Sequence, residues 1–130
     1  MLPQLIVWIL ICTFMAQAAF SICAPFLPIE FERKGLPSTY TGLVFSLYSV
    51  GMIIFSPLFG KIVDRFGHKN LFTVGIGLMG ISFICFGFIA EMQSRVNILA
   101  LVIILRFLQG SSAAALITTY YTIVMNDYPE

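Results

Sequence analysis

The sequence predicts an all-α membrane protein with four transmembrane helices, and three observations carry that expectation. Of the 130 residues, 59% are hydrophobic and 10% charged, with a mean hydropathy of +0.98, outside the range of soluble domains. Four segments, residues 5–29, 39–60, 71–90 and 96–125, are free or almost free of charge. Each holds roughly 20 residues or more, enough at about 1.5 Å per residue to cross a hydrocarbon core of about 30 Å. The charges gather between these runs: of the 7 Lys and Arg residues, Lys61, Arg65 and Lys69 all fall within residues 60–70. Helices are the economical way to satisfy backbone amides in lipid, and the runs lack the strict alternation of a membrane barrel.

The first segment opens like a secretory signal, with an apolar run followed by Ala16-Gln17-Ala18. It has no Lys or Arg before that run, and its apolar character continues to Leu27. That makes roughly 23 residues, the length of a span rather than of a signal core. Glu30, Glu32, Arg33, Lys34, Gly35 and Pro37 form the polar break that follows. The second segment leads into residues 61–70, which are expected to form a loop reached by water. The third contains "GIGLMG" at 75–80, a literal match to the dinucleotide-binding glycine pattern. Its setting inside an uncharged span, with no acidic residue at a following strand end, rules that chemistry out. Gly75, Gly77 and Gly80 are instead expected to let this helix pack closely on a neighbour.

Glu91, Gln93, Ser94, Arg95 and Asn97 make the third break, and the fourth segment carries Arg106, the one charge well inside a predicted span. Short connectors predict antiparallel neighbours, and residues 126–130 suit a helix exit. Lys61, Arg65 and Lys69 on one side balance Arg33, Lys34 and Arg95 on the other, so the positive-inside rule does not orient the bundle.

Several function classes fall away. A net charge of +1 without a basic stripe excludes a nucleic-acid partner. Cys12, Cys23 and Cys85 are odd in number and far apart in apolar sequence, which suits packing residues rather than a metal site or a disulfide framework. No cluster of polar groups offers catalytic residues, so neither an enzyme nor a cofactor is expected.

Residues 60–69, "GKIVDRFGHK", resemble the signature G-x-L-A-D-R/K-x-G-R/K-R/K between the second and third helices of the major facilitator superfamily of transporters. Gly60, Asp64, Arg65, Gly67 and Lys69 fit its spacing. Ile62 and Val63 replace its Leu and Ala, and His68 stands where a permanent cation is usual, which makes that charge pH-dependent. Residues 106–115, "RFLQGSSAAA", resemble the family's fourth-helix pattern through Arg106, Gln109 and Gly110. Pro25, Pro28 and Ser56-Pro57 are also similar to family features. The resemblance implies the first four of the usual twelve helices: residues 1–130 would be a truncated N-terminal transmembrane bundle, part of the N-terminal six-helix bundle of the fold. Within the family, "APFLPIEFERKG" and "RFLQG" are most similar to the vesicular amine and polyamine transporters, followed by drug/proton antiporters. Monoamine members carry an Asp about nine residues before the first of the paired prolines; Ala16 occupies that position here.

The implied activity is secondary active transport of a small organic solute by alternating access, with proton-coupled antiport of an amine or polyamine as its specific form. The implied partners are that small-molecule substrate, protons, the lipid bilayer and the remaining helices. The implied location is an integral, multi-pass position in a vesicle or plasma membrane. No cofactor, metal or covalent step is implied. In the loop motif, Asp64 would latch onto the positive end of a helix in the second half; the plainer alternative is a solvated acid paired with Arg65 or Lys61. Gly60 would allow close approach and Gly67 chain reversal.

Arg106 is costly within a bilayer unless it faces a cavity or partner. It would hold an anionic substrate group, perturb a proton-carrying carboxylate, bind a helix carbonyl, or simply lock the bundle by hydrogen bonds. Gln109, one turn on, would share its cavity or bridge helices. No acid lies inside the four spans, so a coupling carboxylate is expected from other helices. Trp8, Tyr40, Tyr48, Tyr120 and Tyr121 are expected to be interfacial or packing residues rather than a cation cage. The alternative to a transporter is a small four-helix scaffold or accessory subunit of a larger assembly.

Overall fold

The structure, a computed structural model, describes residues 2–127. They form four helices: α1 (Leu2–Arg33), α2 (Thr39–Phe66), α3 (His68–Gly87) and α4 (Arg95–Asp127). A 3-10 turn, Phe88–Glu91, extends α3, and no strand occurs among the described residues. All four helices are long and apolar enough to cross a membrane. Ile22, Ile53, Ile84 and Val96 are 74%, 73%, 67% and 76% exposed, an arrangement that lipid accepts and water does not.

The helices run past the charge-free segments. α1 continues through Glu30, Glu32 and Arg33 because these residues are compatible with helix, and it stops where glycine permits a reversal. Gly35 has φ +68°, its amide donates to Glu32 O at 3.1 Å, and Leu36 N–H donates to Phe31 O at 2.9 Å. This is the Schellman pairing, with Leu36 and Phe31 closing its hydrophobic contact.

The expected loop at 61–70 is corrected more sharply. Nothing between Lys61 and Phe66 breaks a helix, so α2 runs on and Gly67 alone separates it from α3. Gly67 has φ +84° and donates to Val63 O at 3.0 Å, while Leu71 N–H returns to Gly67 O at 3.1 Å. The charges therefore lie on two helix ends. Of the polar exit predicted at 126–130, Tyr128, Pro129 and Glu130 lie outside the described residues.

Contacts between the helices set their directions. Val44 of α2 shares a core cluster with Ile98 and Val102 of α4, and Val63 clusters with Ala115, so α2 and α4 run the same way. Leu27 and Phe31 of α1 and Phe86 and Ile89 after α3 join the Val44 end, which makes α1 and α3 antiparallel to the other two. α4 is the central element: 61% of its most apolar window is buried within the bundle, against 6% for α1.

Small residues explain the closeness of α2 and α4. A Cβ on Gly110 would lie 2.2 Å from Tyr48 O, and one on Gly51 2.8 Å from Phe107 O. Of the three glycines expected to pack α3, only Gly75 does so. A Cβ there would meet Ala115 and Leu116 at 3.3 Å, whereas Gly77 and Gly80 face nothing within 4 Å.

Candidate functional site

Arg106 is fully buried, at 0% exposure. α4 places it there because this helix is surrounded by the other three, each of which sends one aromatic ring to the guanidinium. Its Cζ lies 5.1 Å from the ring centre of Phe20 (α1), 4.8 Å from Phe45 (α2) and 5.0 Å from Phe86 (α3). Gln109, one turn along α4 and equally buried, accepts a hydrogen bond from Nη1 at its Oε1, 3.2 Å away. Arg106 Nε and Nη2, and Gln109 Nε2, have no hydrogen-bond partner among the described residues. No carboxylate forms an ion pair with Arg106 among those residues either.

Magnitudes show how such a charge is tolerated. A cation at the centre of a lipid-facing helix costs about 2.5–3.5 kcal/mol on insertion scales. A desolvated cation–π contact returns about 2 kcal/mol, so three rings offset that cost in order of magnitude without neutralising the charge. No backbone carbonyl accepts from this guanidinium among the described residues. The helix-carbonyl role expected as one option for Arg106 is thus not what the geometry provides.

Gly110 builds the site indirectly. By letting the backbones of α2 and α4 touch at Tyr48, it brings Phe45, one turn earlier on α2, up to Arg106. Tyr48 itself packs on Phe20, with ring centres 4.6 Å apart. Trp and Tyr are the aromatic residues that stand out in the sequence, and Phe20, Phe45 and Phe86 do not. The available signal was the presence of a span cation, which requires partners; nothing marks these three among the 13 Phe residues. Trp8 and Tyr40 are exposed, and Tyr120 and Tyr121 pack on each other with ring centres 5.5 Å apart.

Gly60, Asp64, Arg65, Gly67 and Lys69 form a separate group at the other end of α2. Along the helix, Phe45 and Asp64 are 19 residues or about 28 Å apart. Asp64, Arg65 and Lys69 are exposed. Asp64 lies in the last turn of α2, and neither Arg65 nor Lys61 forms an ion pair with it. Gly60 has no atom within 4 Å of a Cβ position, so no close approach occurs there among the described residues.

A charged helix junction, a buried arginine followed by Gln and Gly on α4, and four spans occur together in this chain. The family model of the Major Facilitator Superfamily matches residues 9–130. The chain belongs to the Major Facilitator Superfamily. It is therefore a transporter-family chain and an integral, multi-pass membrane protein. Among curated members of the superfamily, it is similar to the MFS-type transporter SLC18B1 of Mus musculus, with 29% identity over 85% of this chain and 24% of the relative. It is also similar to the multidrug resistance protein MdtG of Yersinia enterocolitica, 34% identical over 82% of this chain and 27% of the relative. The multi-drug resistance efflux pump PmrA of Streptococcus pneumoniae matches at 34% over 45% of this chain and 16% of the relative. This superfamily chain thus spans about a quarter of the length of the first two relatives. No solved structure matches it.

Proposed function

We propose that the chain is the N-terminal block of a secondary active transporter that exchanges a small organic cation, an amine or polyamine, for protons by alternating access. The observation that carries this reading is the fully buried, uncompensated Arg106 charge. An intramembrane cation without a counter-charge marks a functional site by default, which favours a transporter over a scaffold. In a transporter, a carboxylate from helices beyond this block pairs with Arg106 when ionised and releases it when protonated. Arg106 thereby keeps the acid in the range where it exchanges its proton.

The resemblance of residues 24–35 and 106–110 to the vesicular amine and polyamine branch supports the substrate class. The efflux relatives, named for multidrug resistance, support export of organic solutes. At the other end, Asp64 acts as the gate latch: its own helix end is electrically unfavourable for a carboxylate, and it has no ion-pair partner among the described residues.

The test is proton-gradient-driven uptake of labelled spermidine into liposomes containing the natural protein. Arg106→Ala is expected to lose uptake while remaining inserted, and Arg106→Lys to keep part of it. Full uptake by the Ala variant removes Arg106 from the mechanism and this reading with it.

A further inference from the structure

We infer that Phe20, Phe45 and Phe86 are positioning residues for Arg106: a three-walled aromatic cage that holds the guanidinium while leaving its charge unpaired and two of its nitrogens free for an incoming anion. The inference rests on the proposed transport role of Arg106, but its physical content is separate. The three rings come from three different helices and stand at nearly equal distances, 5.1, 4.8 and 5.0 Å, from one cation on the fourth.

A packing role alone would require only apolar bulk. What the rings add is the negative face of each π system, which attracts a cation without supplying a formal counter-charge. A carboxylate in the same place would neutralise the guanidinium and occupy its forked edge. Here that edge is buried but unpaired: Gln109 accepts from Nη1 at 3.2 Å, while Nε and Nη2 have no partner among the described residues. The cage thus favours Arg106 at the convergence of the four helices and leaves Nε and Nη2 as donors for one planar anionic group. It also couples the cation to α1, α2 and α3 together, so displacement of any one helix removes a wall.

Incorporation of mono-, di- and trifluorinated phenylalanine at positions 20, 45 and 86 of the natural protein tests this. Fluorine drains the π face with little change of volume, so the fold is spared. The first readout needs no substrate: the rate at which phenylglyoxal labels Arg106, measured by mass spectrometry relative to exposed Arg65. Labelling is expected to rise stepwise with fluorination, by about threefold or more at the trifluoro step for at least one ring. Phe45→Leu should expose Arg106 similarly, and Phe45→Trp should restore protection. The second readout is spermidine uptake, in which the maximal rate should fall along the series with little change in half-saturation. Flat labelling at all three positions, or Leu protecting as well as Phe, overturns the cage. Full uptake by Arg106→Ala overturns the transport role instead, and the labelling result stands independently of it.

Discussion

At the scale of single residues, the glycines separate into those that a neighbour needs and those that lipid tolerates. Gly110 admits the carbonyl of Tyr48 to a point 2.2 Å from where a Cβ would stand, and backbone cannot swing aside as a flexible side chain can. Gly77 faces nothing within 4 Å and carries only the entropic cost of glycine in a helix. Gly110→Ala is therefore expected to lower stability by about 1–3 kcal/mol through forced separation of α2 and α4. Gly77→Ala is expected to be neutral or to add about 0.5–1 kcal/mol. Thermal unfolding of both variants in the same detergent measures the contrast; equal melting temperatures would show that α2 and α4 part at no cost.

Among the elements, the two ends of the bundle are joined by different means. At one, the α1–α2 connector is tied to the chain between α3 and α4: Lys34 Nζ donates to Met92 O and, at 3.3 Å, to Ala90 O. Placing an ammonium at the carbonyl-rich end of α3 is electrostatically favourable. At the other end, the one-residue junction at Gly67 leaves Asp64 exposed in the last turn of α2, with no ion-pair partner among the described residues. If Asp64 latches a helix end outside this block, Asp64→Asn shifts the balance between conformations without touching the substrate. In the natural protein, its maximal uptake rate is expected to fall severalfold while half-saturation for spermidine changes little. Unchanged turnover would make Asp64 an ordinary solvated acid. Normal thermal stability is expected in either case, because an exposed charge contributes little to the fold.

For the molecule as a whole, the balance of cations at the two ends leaves orientation to be measured. The up-down order of the helices places His68 and Ser94 at opposite ends of α3 and its extension. Single cysteines at these positions, in a background lacking Cys12, Cys23 and Cys85, are expected to react with an impermeant maleimide from opposite sides. From the family resemblance, His68 is expected to react from the cytosolic side and Ser94 from the opposite one. Labelling of both from one side would be incompatible with the four-span arrangement. α1 leaves a broad apolar surface exposed, with Trp8, Phe14 and Ile22 66%, 67% and 74% accessible, and the chain covers about a quarter of relatives such as SLC18B1.

By itself the sequence determined the membrane environment, the count of four helices and their approximate positions, because passage through lipid is governed by local composition over about 20 residues. It also determined the family, through the spacing of Gly60, Asp64, Arg65, Gly67 and Lys69 and of Arg106, Gln109 and Gly110. Helix ends were less legible: charged residues such as Glu32, Lys61 and Arg65 read as loop, yet they continue a helix readily until a glycine reverses the chain. Only the tertiary structure decided that Gly51 and Gly110, rather than Gly77 and Gly80, bring helices together, and that Phe20, Phe45 and Phe86 surround Arg106. The reason is that a helix apolar on every side carries no stripe to show which face meets protein and which meets lipid. That choice is made by the shapes and polar groups of neighbouring helices, and it exists only once they are assembled.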